Sequence, residues 1–156
     1  MNFRISGLSP EPFKAVFNLD DAALAARGAQ RVFADDSIPG YPCRVSLAHA
    51  TPGEVLLLIS HTHQDGDSPY RASGPIFVRQ SAHVAFDQTN CIPEPVRTRL
   101  LSVRAYDARD CIVEADVVDG GEIESLIARF FALDDVAYLH IHFARRGCFA
   151  CRVDRQ

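Results

Sequence analysis

The chain has no cluster of basic residues, no apolar run long enough to span a bilayer and no glycine motif of a nucleotide site. Its 16 Lys and Arg and 20 Asp and Glu give a net charge of −4, and the basic residues are scattered. Binding to a phosphate backbone needs a basic stripe, so nucleic acid is not expected as a partner. The longest apolar run, Val55 to Ile59, is far too short for a membrane span, so no membrane association is expected. Met1-Asn2-Phe3-Arg4-Ile5 carries no secretory apolar core, which predicts a cytoplasmic location. Five cysteines in a reducing compartment are expected as thiols, and their odd number leaves one unpaired in any case. Repeats, low-complexity tracts, a phosphate loop, a dinucleotide fingerprint and a Gly-x-Ser-x-Gly elbow are all missing.

What is there suits a soluble globular protein: 156 residues, 47% hydrophobic and 23% charged. That length predicts a single domain over 1–156 with a real core. Phe3 to Ile5 reads as a strand, and Phe13 to Phe17 as a short helical turn after Pro10 and Pro12. Asp20 to Arg27 reads as a helix capped at Asn18 or Asp20 and closed by Gly28. Glu54 to His63 predicts a strand covered on both faces, and Ile76 to Val78 another. Residues 87–95 read as irregular.

Leu101–Tyr106 and Cys111–Val117 predict a hairpin. A three-residue loop, Ala108-Arg109-Asp110, pairs Asp107 with Cys111, sets Val103 opposite Ala115 and sets Arg104 opposite Glu114. Asp119 and Glu122 open a helix whose stripe is Ile123, Leu126, Ile127 and Phe130. Val136–Phe143 and Phe149–Val153 close the chain as strands. The fold class is therefore α+β: a mainly antiparallel sheet with helices packed on one face, in the form of a ferredoxin-like core with additions.

The last strand pair concentrates the chemistry, since His140, His142, Cys148 and Cys151 lie within twelve residues. Zinc needs about four converging ligands, and strand parity splits this group. His140 and His142 share a face, either simple turn register adds Cys151 to it, and Cys148 points away. No metal and no cofactor are expected. A thioredoxin-like use of Cys148 and Cys151 would need a following helix, for which no chain remains. His61 and His63 share a face at a strand end and, beside Asp65, read mainly as solvated.

Cys43 lies in a proline-bounded loop beside Arg44, a cation able to lower a thiol pKa. Cys43, or alternatively Cys148, is the candidate nucleophile, with His142 as the candidate base. Ser73-Gly74-Pro75 lets backbone approach a ligand, and with Arg71 and Arg44 it suggests an anion pocket. The bland reading of each is a packed thiol, an ordinary turn and a surface ion pair.

Several phrases occur together in order: Pro42-Cys43-Arg44, Ala50-Thr51-Pro52-Gly53-Glu54, Ser73-Gly74-Pro75-Ile76-Phe77-Val78, Arg104-Ala105-Tyr106-Asp107, His140-Ile141-His142, Gly147-Cys148 and Cys151-Arg152-Val153-Asp154-Arg155. Over nearly the whole length the chain thereby resembles the bacterial family called domain of unknown function 1203 (DUF1203). The resemblance implies a compact α+β domain in a bacterial cytoplasm and brings no catalytic residue with it. The residues themselves suggest a small-molecule site for an anionic metabolite, built from Arg44, Arg71, Ser73, Gly74, His140 and His142. A Cys/His-dependent enzyme and a module forming a homodimer through a sheet edge are the alternatives.

Overall fold

The computed structural model describes residues 2–156. Met1, the first residue of the segment read as lacking a secretory leader, lies outside them. The chain forms strands β1 (Phe3–Ser6), β2 (Ala29–Phe33), β3 (Val55–Gln64), β4 (Ala72–Arg79), β5 (Asp87–Thr89), β6 (Leu100–Tyr106), β7 (Ile112–Asp119), β8 (Tyr138–Phe143) and β9 (Phe149–Arg155). Four short helices join them: α1 (Glu11–Lys14), α2 (Asp21–Ala26), α3 (Glu94–Arg97) and α4 (Ile123–Phe131). The strands make two sheets, one ordered β5-β1-β9-β8-β6-β7 and one ordered β2-β3-β4. All neighbours within them run antiparallel. The α+β class stands, with helices in the minority.

Two sheets replace the expected single one, because β3 and β4 pair with each other and with β2 instead of joining the larger sheet; β2 and β5 form where no strand was read. β2 continues directly from the Gly28 turn after α2, and β5 pairs only three residues of β1. Neither carries a long apolar alternation. A helix crossover, β7–α4–β8, brackets β6 in the larger sheet. A ferredoxin-like core has two such split units, and this sheet has one.

Local signals explain most elements. The Asp20 carboxylate accepts from the Ala23 amide and starts α2, and Gly28 adopts φ +65° after it. Asp119 accepts from the Gly121 amide ahead of α4. The apolar stripe of α4 then covers one face of the larger sheet. There Leu101, Val103, Ala105, Leu139, Ile141, Cys151 and Val153 meet Ile123, Leu126, Ile127 and Phe130 in the main core. Among the described residues no helix is long and apolar enough to cross a membrane.

Two registers differ from expectation, and in both cases a bulge is the cause. Asp107 does pair with Cys111, but Tyr106 faces Ile112 while Ala105 faces Glu114. The extra residue turns Val113, Ala115 and Val117 outward on an edge strand, with Val117 56% exposed. Arg104 then stands opposite Ala115 rather than Glu114. On β9, Ile141 faces Cys151 and His142 faces Phe149. Cys151 therefore joins the main core and not the histidine face.

The second sheet closes the opposite face of the first, and the segment 42–45 runs between them. Gly7 passes directly against this segment: its amide bonds to Phe86, and the Leu8 amide to the Arg44 carbonyl at 2.7 Å. A Cβ at Gly7 would land on the Val45 carbonyl oxygen. Backbone cannot yield as a flexible side chain does, so Gly7→Ala is expected to destabilise the protein by about 1–3 kcal/mol, the usual range for overpacking. Urea unfolding measures this, with Gly53→Ala as the comparison; no atom lies within 4 Å of the Cβ there, though φ is +90°.

Candidate functional site

The polar face of β8 meets the second sheet, and three imidazoles are enclosed there. His140 is 3% exposed and His142 is fully buried. His63, half-buried, reaches across from β3. Its ring centroid lies 4.9 Å from that of His142 and 6.3 Å from that of His140. It stacks on Phe149 at 5.4 Å and 9°. Sequence parity finds the His140/His142 pair. It also finds the shared face of His61 and His63, both of which meet Phe149, but the expectation that this end is mainly solvated fails for His63; the bulge between Thr62 and Gln64 then brings Gln64 to the same face. His63 and Gln64, though consecutive, both reach the larger sheet: His63 meets His142, and the Gln64 amide donates to the Tyr138 hydroxyl at 2.7 Å.

Four nitrogens of these rings are buried without a protein partner among the described residues: both of His63, Nδ1 of His140 and Nε2 of His142. A buried polar atom left unpaired costs about 1–3 kcal/mol, so four on facing rings need an explanation. The remaining nitrogen of His142, Nδ1, lies 2.9 Å from the Gly147 carbonyl. A carbonyl oxygen only accepts, so Nδ1 carries the proton and Nε2 is a bare acceptor. Among the described residues, no group of three or more His, Cys, Asp or Glu is gathered to hold a metal ion.

The field around them is positive. Arg104, half-buried on β6 opposite His140, reaches all three histidines and Tyr106 with its charge. Among the described residues its guanidinium has no carboxylate within ion-pair distance. Burial, reinforced by Arg104 and neighbouring charges, pushes His140 and His142 down to about 3. His63 is lowered too, mainly by burial. All three rings are neutral at pH 7.

Arg44 ties the second sheet's side of the cleft to β9. It is 3% exposed, and its Nε donates to the Phe149 carbonyl at 2.6 Å while Nη1 donates to Pro42. Its guanidinium lies 5.1 Å from the Phe143 ring, which Arg99 also approaches at 4.8 Å. Burial holds its pKa down to about 10, and Cys148, Cys43 and Cys151 lie near enough to oppose that shift. Carbonyls rather than carboxylates hold this cation.

The structure brings Arg44, Cys43, Cys148, His140 and His142 into one region and leaves others out. Cys43 packs with Val45, Ile76 and Val78, and its sulfur accepts from the Val45 and Arg79 amides at 3.4 Å; the thiol is enclosed. Cys148 sits half-exposed in the β8–β9 turn. Gly74 lies opposite His61 on β4, and a Cβ there would meet nothing, so the chain itself makes no close approach at this glycine. Arg71 is exposed and bonded to the Asp65 carbonyl, and the Ser73 hydroxyl pairs with Thr62 on the outer face. Two surface depressions, of about 180 and 390 Å³, are lined in part by His83 and lie away from His63, His140 and His142. Lys14 and Arg79, which line the first, already pair with Glu11 and Glu54. The unsatisfied ring nitrogens of His63, His140 and His142 lie instead in the closed contact between the two sheets.

The neutral histidines set an acid limit on stability. Unfolded, each imidazole titrates near 6.5; folded, His140 and His142 hold no proton until about pH 3. Between those values the unfolded chain binds more protons, so stability is complete above pH 6.5 and falls as pH drops toward 3. His140→Phe is expected to reduce proton uptake on unfolding by about one between pH 4 and 6. Urea unfolding across that range checks this; an unchanged slope would show that His140 is not held neutral.

Comparison with known proteins adds one assignment. No curated protein and no solved structure matches the chain. The family model described as "Protein of unknown function (DUF1203)" matches residues 40–155, a span that holds the whole histidine cleft, Arg44 and Arg104. The chain belongs to the DUF1203 family.

Proposed function

We propose that this protein is a small cytoplasmic ligand-binding domain that takes a small anionic metabolite between its two sheets. The site centres on His63, His140, His142 and Arg104, with Arg44 behind Phe149 as a second source of positive charge. The observation that carries the reading is the set of four unpartnered, buried ring nitrogens beneath an arginine that has no carboxylate. An anion entering past Arg104 would neutralise that charge and accept from imidazole N–H groups. The half-buried positions of His63 and Arg104 support an approach from their side once the closed rings part.

Binding to the folded state alone raises stability, by about 2.7 kcal/mol at one hundred times Kd. That corresponds to several degrees in Tm for a chain of this size. A thermal-shift panel of phosphates, carboxylates and nucleotides is expected to yield such a shift with the smaller anions. Arg104→Ala, a change on a half-buried side chain, should remove the shift while leaving the unliganded Tm nearly unchanged. Silence across the panel, or an undiminished shift in the variant, would count against the site.

A further inference from the structure

The donor and acceptor pattern of the cleft restricts its ligand further, on the reading just given. His142 Nδ1 is committed to donating to Gly147, so the buried Nε2 offers a lone pair and no proton. Arg104 and the N–H groups of His63 and His140 favour an acceptor, although each of those two neutral rings also keeps one lone pair. A bare anion would satisfy those donors but would leave Nε2 unpaired, or set oxygen lone pair against nitrogen lone pair. An ammonium could donate to Nε2, but it would enter the field of Arg104, Arg44 and Arg152, which all reach these histidines. The group that fits is a neutral hydroxyl on an anion. We infer that the cleft selects a small oxyanion bearing its own O–H, such as a hydroxycarboxylate or a hydrogenphosphate, whose hydroxyl donates to His142 Nε2 while its charged oxygens face Arg104.

The inference separates compounds that net charge and size alone do not. A site built to pair with a hydroxyl rejects the analogue lacking it, because its own buried acceptor is left unpaired. Titration calorimetry of the full chain at pH 7 compares glycolate with acetate, and phosphate with sulfate. Phosphate keeps an O–H at that pH and sulfate has none. In at least one pair the hydroxyl-bearing member is expected to bind about tenfold tighter or more. Which pair responds separates a carboxylate from a phosphate ligand. His142→Leu, which removes the acceptor, should bring the members of the responding pair to within about threefold. His142→Gln, whose side-chain carbonyl can accept, should keep the preference. If the leucine variant fails to fold, the wild-type ratios and the glutamine variant still decide. Equal affinity within both pairs would overturn the inference and leave the anion site standing. Binding of none of the four would overturn both.

Discussion

Enclosing three imidazole rings between two sheets is the constraint on which the rest of this structure depends. Imidazoles in such a place are tolerated only neutral, and each neutral ring brings one donor and one acceptor to be paired. β8 supplies two of them from one strand by simple alternation, and its other face carries Leu139 and Ile141 into the main core. The same six residues thus fasten the core beneath α4 and line the cleft. Changes in β8 are felt on both sides of the sheet, so the cleft cannot be adjusted independently of the core.

Two ties hold the sheets at the spacing the rings require. At one side Arg44 donates to the Phe149 carbonyl. At the other, the Gln64 amide donates to the Tyr138 hydroxyl, which in turn donates to Asp110 at 2.6 Å. This chain links β3, β8 and the β6–β7 turn. Asp110 itself stands at φ +61°, in the left-handed region that Asp tolerates better than most residues. The Ser68 hydroxyl donates to its carbonyl, fastening the loop after β3 to the same turn. His63, placed between the two ties, meets His142 across the gap because both ends of the gap are fixed.

Strand parity was enough to read His140 and His142 as partners on one face; it does not apply to Cys148, which stands in the turn before β9. The α4 stripe and the Asp20 cap followed from spacing and propensity in the same way. What escaped was bulge placement. An inserted residue in β3 brings Gln64 to the face that His63 already shares, one in β9 sends Cys151 into the core, and one near the β6–β7 turn frees Arg104 from Glu114. A bulge costs little and is fixed by packing between distant strands, so no local residue pattern announces it. Each bulge also reverses the facing of everything beyond it, which is why errors of one residue changed the membership of the site. Arg44 was singled out for its neighbour Cys43, but its actual partners are carbonyls, one of them 105 positions along the chain.

The low basicity of the cleft histidines separates holding a proton-bearing ligand from taking its proton. A base with a pKa of about 3 is a weak acceptor for any proton, because burial disfavours its charged form. That weighs against pairing His142 with Cys148 as base and nucleophile while both are in the state described. Accepting a hydrogen bond demands much less. A neutral Nε2 keeps its lone pair through the whole physiological range, and burial that lowers its pKa also strengthens each hydrogen bond made there. Burial holds the rings neutral, and the charges of Arg104, Arg152 and Arg44 reinforce it. Neutral acceptor and nearby cation are therefore consequences of one arrangement, the chemistry that the proposed oxyanion would require.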